Sequence, residues 1–146
     1  MLLLLPAGIV GLASLPSEQW CLHRPRRAAA GTLYAIGGRG VSTSERPFDD
    51  VEVYNFYKDE WNNAPPLLSP RRHVGVVSAH GKVYAVGGEN SGHHLRTVEC
   101  YGEQESKWQQ VSQLSIGRRG IAVGMLEGVV YAAGNVWIEM CSRTTP

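Results

Sequence analysis

The sequence predicts an all-β chain built from about two and a half copies of one four-stranded antiparallel sheet. Three observations carry this reading. One block of residues recurs at nearly fixed spacing, each copy breaks into short apolar runs separated by Gly, Pro and polar turns, and no window shows helical periodicity. The 17 glycines and 8 prolines among 146 residues agree, since glycine supplies backbone conformations that other residues resist and both punctuate short strands.

The block Gly31-Thr32-Leu33-Tyr34-Ala35-Ile36-Gly37-Gly38 returns 50 residues later as Gly81-Lys82-Val83-Tyr84-Ala85-Val86-Gly87-Gly88. A third copy, Gly128-Val129-Val130-Tyr131-Ala132-Ala133-Gly134, follows after another 47. The same 47-residue offset joins Val51-Glu52-Val53-Tyr54 to Val98-Glu99-Cys100-Tyr101, Trp61 to Trp108, and Arg71-Arg72-His73 to Arg118-Arg119-Gly120. Separate markers kept in one register exclude chance similarity.

Within the second copy, the apolar run from Val74 to Ala79 predicts a first strand and His80-Gly81 a tight hairpin. Lys82 to Val86 is the second strand, closed by Gly87-Gly88 where neighbouring backbone must approach closely. A polar loop from Glu89 to Leu95 leads to a third strand, Arg96 to Tyr101, with period-two alternation. After a turn at Gly102 to Ser106, Trp108 to Val111 is the fourth. One such sheet cannot bury both faces alone, so Tyr84, Tyr101 and Trp108 are expected between adjacent sheets.

The outer copies depart from this plan. Arg26 and Arg27 precede Tyr34 by only eight and seven residues, whereas Arg71 precedes Tyr84 by thirteen, so the first copy is expected to lack its opening strand. In the third copy Asn135 stands where the second glycine belongs, Ile138-Glu139-Met140-Cys141 is the candidate for a degenerate third strand, and no closing Trp follows. The expected division is an apolar segment over 1–23, repeats over 24–141 (24–66, 67–113 and 114–141) and a tail over 142–146. Residues 1 to 15 look signal-like but lack a basic n-region, and as a membrane span they are too short and broken by Pro6. The segment is therefore read as an alternative start or linker remnant, and secretion is not expected.

Fourteen basic against thirteen acidic residues leave a formal charge of +1, so neither nucleic acid nor a membrane is an expected partner. Cys21, Cys100 and Cys141 lie far apart without a Cys-x-x-Cys pair, which suits reduced thiols in the cytoplasm. His73, His80, His93 and His94 show no compact ligand spacing, and the adjacent His93 and His94 would point to opposite sides of an extended chain. No Gly-x-Ser-x-Gly elbow appears, and Gly37-Gly38-Arg39-Gly40 lacks the Lys-Ser/Thr ending of a phosphate loop. No catalytic residue, metal or cofactor is expected, and the chain is read as a binding module rather than an enzyme.

A Gly-Gly pair after Tyr-Ala-Ile or Tyr-Ala-Val, a Val-Glu-x-Tyr strand, a Trp and then an Arg opening the next unit together resemble the kelch repeat, over residues 24 to 141. The resemblance implies an incomplete β-propeller of about two and a half four-stranded blades. Arg24-Pro25-Arg26-Arg27 resembles the junction into the propeller of BTB-BACK-kelch (kelch-like) proteins. In that family the propeller captures a substrate while BTB and BACK domains dimerise and recruit a cullin ubiquitin ligase. The chain has no room for a BTB domain, so it reads as a fragment or short isoform and reaches a cullin only through domains absent here. Family propellers usually fill a missing opening strand from the far end of the chain. The alternatives implied are an actin-binding or cytoskeletal scaffold and, further off, a propeller enzyme related to galactose oxidase.

Partners of such propellers dock on one rim. Carried over by position, the candidate contacts are Arg71 and Arg118, which open copies two and three, and Arg39 after the first Gly-Gly, with Arg72, Arg119, Asn90 and Arg96 close by. Arg46, Glu89, His93 and His94 are further polar neighbours. A guanidinium fork suits a protein or acidic peptide, since it donates two parallel hydrogen bonds to one carboxylate. The competing reading is that these arginines pair with Glu52, Glu99 or solvent. Exposed edges of the end blades are expected to favour self-association.

Overall fold

A computed structural model describes residues 12–15, 32–40, 46–102, 104–134 and 139–143. Every regular element among them is a strand. The first sheet has the order β1 (Leu12–Leu15), β2 (Thr32–Ile36), β3 (Val51–Asn55), β4 (Glu60–Ala64). The second runs β5 (Gly75–Ala79), β6 (Lys82–Val86), β9 (Thr97–Gly102), β10 (Lys107–Gln113), with a short ribbon of β7 (Glu89–Asn90) and β8 (His93–His94) inserted between β6 and β9. The third comprises β11 (Ala122–Leu126), β12 (Val129–Ala133) and β13 (Glu139–Arg143). All pairings within the sheets are antiparallel.

Each hairpin forms for a local reason. His80 and Gly81 both take positive φ, 50° and 71°, and Glu127 and Gly128 repeat this at 50° and 75°. Two successive positive φ values give a turn whose twist matches that of the flanking strands. Between β3 and β4, the Asn55 side chain accepts hydrogen bonds from the Tyr57 and Lys58 amides at 3.0 and 3.2 Å, closing the turn through its own carbonyl.

The alternation of side chains sorts each sheet's residues between two interfaces. In β6, Val83 and Ala85 pack with Tyr34, Ile36, Val51, Leu67, Tyr101 and Trp108, between the first and second sheets. Tyr84 and Val86 on its other face pack with Cys100, Leu114, Ile121, Val130 and Ala132, between the second and third. The sheets therefore stack face to face through the spaced aromatics. Tyr34 meets Tyr101 edge-on across the first interface, ring centroids 6.0 Å apart. Trp108 Nε1 donates to the Pro65 carbonyl at 2.9 Å, which ties the fourth strand of one sheet to the segment leaving the previous one.

Three expectations are corrected. The first sheet has its opening strand: β1 pairs with β2 in the register Leu12↔Ala35 to Leu15↔Thr32, inside the segment set apart over 1–23. This strand carries none of the repeat's markers and lies farther upstream of Tyr34 than the two-residue hairpin of the second copy allows, so the repeat pattern does not reveal it. The polar stretch from Glu89 to Leu95 contains the β7–β8 ribbon. Strand three lies one residue later than expected, at Thr97–Gly102, and strand four is longer, Lys107–Gln113, because a register shift between Gln110 and Ser112 lets β10 continue past Val111. The degenerate third strand expected near 138–141 is present as β13, paired to β12. The Arg24–Arg27 junction and Asn135 lie outside the described residues.

Candidate functional site

The Gly-Gly turns build a rim at one end of the stack. Gly38 donates its amide to the carbonyl of Arg71 at 2.9 Å, and Gly88 to that of Arg118 at 2.7 Å. Each turn thus latches onto the arginine that opens the next sheet. Gly37 and Gly87 take φ of 63° and 59°, and a Cβ on either would stand 2.5 or 2.7 Å from those same carbonyls. Only glycine satisfies both conditions, which is why the doublet recurs. The neighbouring bonds repeat as well: the Gly37 amide to the Asp50 carbonyl as Gly87 to Thr97, Phe48 to Gly38 as Leu95 to Gly88, and Leu67 to Asp49 as Leu114 to Arg96.

Arg71 and Arg118 lie beneath this rim. Arg71 is 0% exposed; its guanidinium pairs with Glu99 and donates to the Gly87 carbonyl at 2.8 Å and to Thr97 Oγ1 at 3.0 Å. Glu99, 1% exposed, also accepts the Leu68 amide at 2.8 Å, so this buried pair joins the segment between the sheets to β9. Arg118 repeats the geometry sixteen residues upstream of its glycine, donating to the Gly134 carbonyl at 3.0 Å.

The second arginine of each doublet emerges at the surface. Arg72 and Arg119 converge on Glu89, Arg72 by its Nε at 3.1 Å and by Nη2, Arg119 by Nη1 at 2.6 Å to the other oxygen. The Arg72 and Glu89 backbones also exchange amide bonds at 3.0 and 2.8 Å. Glu89 is buried, whereas the Arg119 side chain is 48% exposed and that of Arg72 21%. Hydrogen bonds from Arg72 and then Arg119 hold the Glu89 carboxyl down at about 2. The two cations are thereby fixed side by side, each with donors left over.

Of the remaining candidates, Arg39 is half-buried beside the bridge it makes with Pro47, and Arg96 is exposed with its Nε on the Leu114 carbonyl at 2.8 Å. Asn90 is half-buried at the start of the β7–β8 ribbon, with His93 and His94 exposed. Arg46 is exposed. Sequence reasoning named Glu89 only as a polar neighbour. The signal for its role was an acid directly after the second Gly-Gly, where the first copy has Arg39, together with two Arg-Arg doublets in one register. Among the described residues no three His, Cys, Asp or Glu side chains gather as a metal site, and no helix is long and apolar enough to cross a membrane.

Comparison with known proteins places these features. The family profile described as Kelch motif matches residues 28–68 and 70–115, more than half of the chain. The third sheet lies beyond the matched residues. Kelch-like protein 8 of Mus musculus is 49% identical over 71 residues, 49% of this chain and 11% of that protein. Its Caenorhabditis elegans namesake is 44% identical over 72 residues, 49% of this chain and 10% of that protein. Kelch-like ECH-associated protein 1A of Danio rerio is 37% identical over 65 residues, 44% of this chain and 11% of that protein. The matched part of the chain spans about a tenth of the length of these curated relatives. With its 47-residue register, its Gly-Gly latches and the matched motif, the chain belongs to the kelch-repeat family.

Proposed function

We propose that the chain is a protein-binding kelch module whose Gly-Gly rim recognises an acidic peptide segment, as the substrate-recognising part of a cullin-RING ubiquitin ligase adaptor in the cytoplasm. The observation that carries the reading is the Glu89 clamp, which holds Arg72 and Arg119 in one place at the surface with unused donors. Preorganised guanidinium groups lose less freedom on meeting a carboxylate than mobile ones do. Arg71 and Arg118 act from below, by fixing the backbone on which the exposed arginines stand. Arg39, Arg96 and Asn90, half-buried or exposed, are the further candidates for contact with the partner. The likeness to kelch-like proteins supports the adaptor role, in which cullin recruitment would fall to BTB and BACK domains.

The test is fluorescence anisotropy against a set of labelled Asp/Glu-rich, phosphorylated and neutral peptides. Selective binding of the acidic set is expected, weakened by on the order of 2 kcal/mol in Arg119→Ala if that side chain is a desolvated anchor. Equal binding of the neutral set, or an unchanged affinity of Arg119→Ala, refutes acidic recognition. Co-sedimentation with filamentous actin at comparable affinity would replace the adaptor reading with a cytoskeletal one.

A further inference from the structure

We infer that the chain assembles head to tail with a second copy, the outer face of its first sheet receiving the outer face of the partner copy's third. The first sheet carries a stacked aromatic group: Tyr54 and Trp61 have centroids 5.1 Å apart, and Phe56 meets Tyr54 edge-on at 4.8 Å. In the 47-residue register, Tyr54 and Trp61 are the counterparts of Tyr101 and Trp108, which stack at 5.5 Å. The second pair is buried, 8% and 3% exposed, beneath Tyr34 and Ile36 of the first sheet and Leu67 of the segment that follows it. The first pair has no such cover among the described residues: Tyr54 and Trp61 are only half-buried, and Phe56 is 53% exposed.

The register also states what fits there. Tyr101 is covered by the tyrosine in the middle of the second strand of the preceding sheet, Tyr34, and the third sheet holds that position with Tyr131. In β12, Val130 and Ala132 are buried against the second sheet, so alternation turns Val129, Tyr131 and Ala133 outward, where they are half-buried. Leu126, paired with Val129, shares that face and is 64% exposed. A second copy therefore brings to Tyr54 and Trp61 the kind of surface that the first sheet brings to Tyr101 and Trp108. Two copies supply two such interfaces and six sheets in all, within the roughly four to eight blades of closed propellers. A head-to-tail contact whose rotation closes yields a ring rather than a filament, and a ring leaves no open face.

Sedimentation velocity of the full chain at micromolar concentration tests this. A dimer of twice 16.0 kDa is expected. Trp61→Glu and Tyr131→Glu should each weaken it by at least about 30-fold. Mixing the two variants should restore a one-to-one dimer, because the intact third sheet of one meets the intact first sheet of the other. A mirror-type contact joining two Trp61 faces gives no such rescue. Trp61→Ala or Tyr131→Ala stands in for any glutamate variant that loses its β-sheet circular dichroism. A monomeric wild type, a dimer indifferent to either substitution, or a folded mixture that stays monomeric would overturn the inference.

Discussion

Truncating Arg71 to alanine should destabilise the chain by about 3–5 kcal/mol. The magnitude follows from what the side chain leaves behind. Arg71 is 0% exposed and its guanidinium satisfies the Glu99 carboxylate, the Gly87 carbonyl at 2.8 Å and the Thr97 carbonyl at 3.2 Å. Burial lowers the Arg71 pKa and Glu99 pushes it back up, so the charge is tolerated inside only because its partner is there. In Arg71→Ala, Glu99 remains buried with the Leu68 amide as its remaining named donor, and an uncompensated buried charge dominates the cost. Against a typical stability of about 5–15 kcal/mol, this is roughly a fifth of the total or more. The double variant Arg71→Met with Glu99→Leu removes both charges at similar volume and should recover more than half of the loss. It still falls short of the wild type, since the Gly87 carbonyl loses its Arg71 donor at a cost of about 1–3 kcal/mol, whereas the Thr97 carbonyl keeps the Gly87 amide. Urea unfolding, with the free-energy difference taken from the midpoint and slope, measures all three proteins. A loss below about 1 kcal/mol in Arg71→Ala, or a double variant less stable than the single, would refute the reasoning.

Three further substitutions separate the rim's components, with Gly81→Ala in the β5–β6 hairpin as the reference. Gly81→Ala, at φ 71° with open space around it, should cost only the left-handed backbone penalty of about 1–2 kcal/mol. Gly87→Ala should cost a further 1–3 kcal/mol, roughly, because its Cβ meets the Arg118 carbonyl and breaks the latch from Gly88; equal midpoints in urea would contradict this. Glu89 has a folded pKa depressed to about 2, so its contribution is present above the unfolded value near 4.5 and is lost as pH falls from there towards 2. Glu89→Gln should therefore be less stable at neutral pH and should take up one proton fewer on unfolding in that acid window; parallel stability curves for the two proteins would rule the clamp out.

The parts of the fold legible in the sequence are those in which a residue's chemistry has one structural outlet. The Gly-Gly doublets were legible because positive φ and a carbonyl within van der Waals reach leave no other residue type. Tyr34, Tyr84, Tyr101 and Trp108 were legible because each is large, spaced by the repeat, and buried between sheets. What escaped has weaker local determinants. Pairing of β1 depends on an unfilled edge of β2 about twenty residues away, and no residue within Leu12–Leu15 announces it. The β7–β8 ribbon depends on Ser91 and Gly92 at φ 49° and 84°, a turn hidden inside a polar stretch that composition alone marks as loop.

For the site, sequence reasoning located the arginines but not their depth. Arg71 and Arg72 are adjacent, of the same type and equally repeated, yet one is wholly inside and the other reaches the rim. The difference is made by their partners: Glu99 lies on β9 within the sheet, and Glu89 lies past the Gly-Gly turn where the chain leaves it. Since Gly88 binds the Arg118 backbone while Glu89 binds the Arg119 side chain, one turn fixes both arginines of the following sheet. The rim's charge pattern is therefore set by the residue after each doublet. With glutamate there, two arginines are gathered and partly neutralised; with Arg39 at the same position of the first copy, the turn adds a cation instead. Successive blades can thus carry different rim chemistry on an unchanged latch, because the latch uses only backbone atoms.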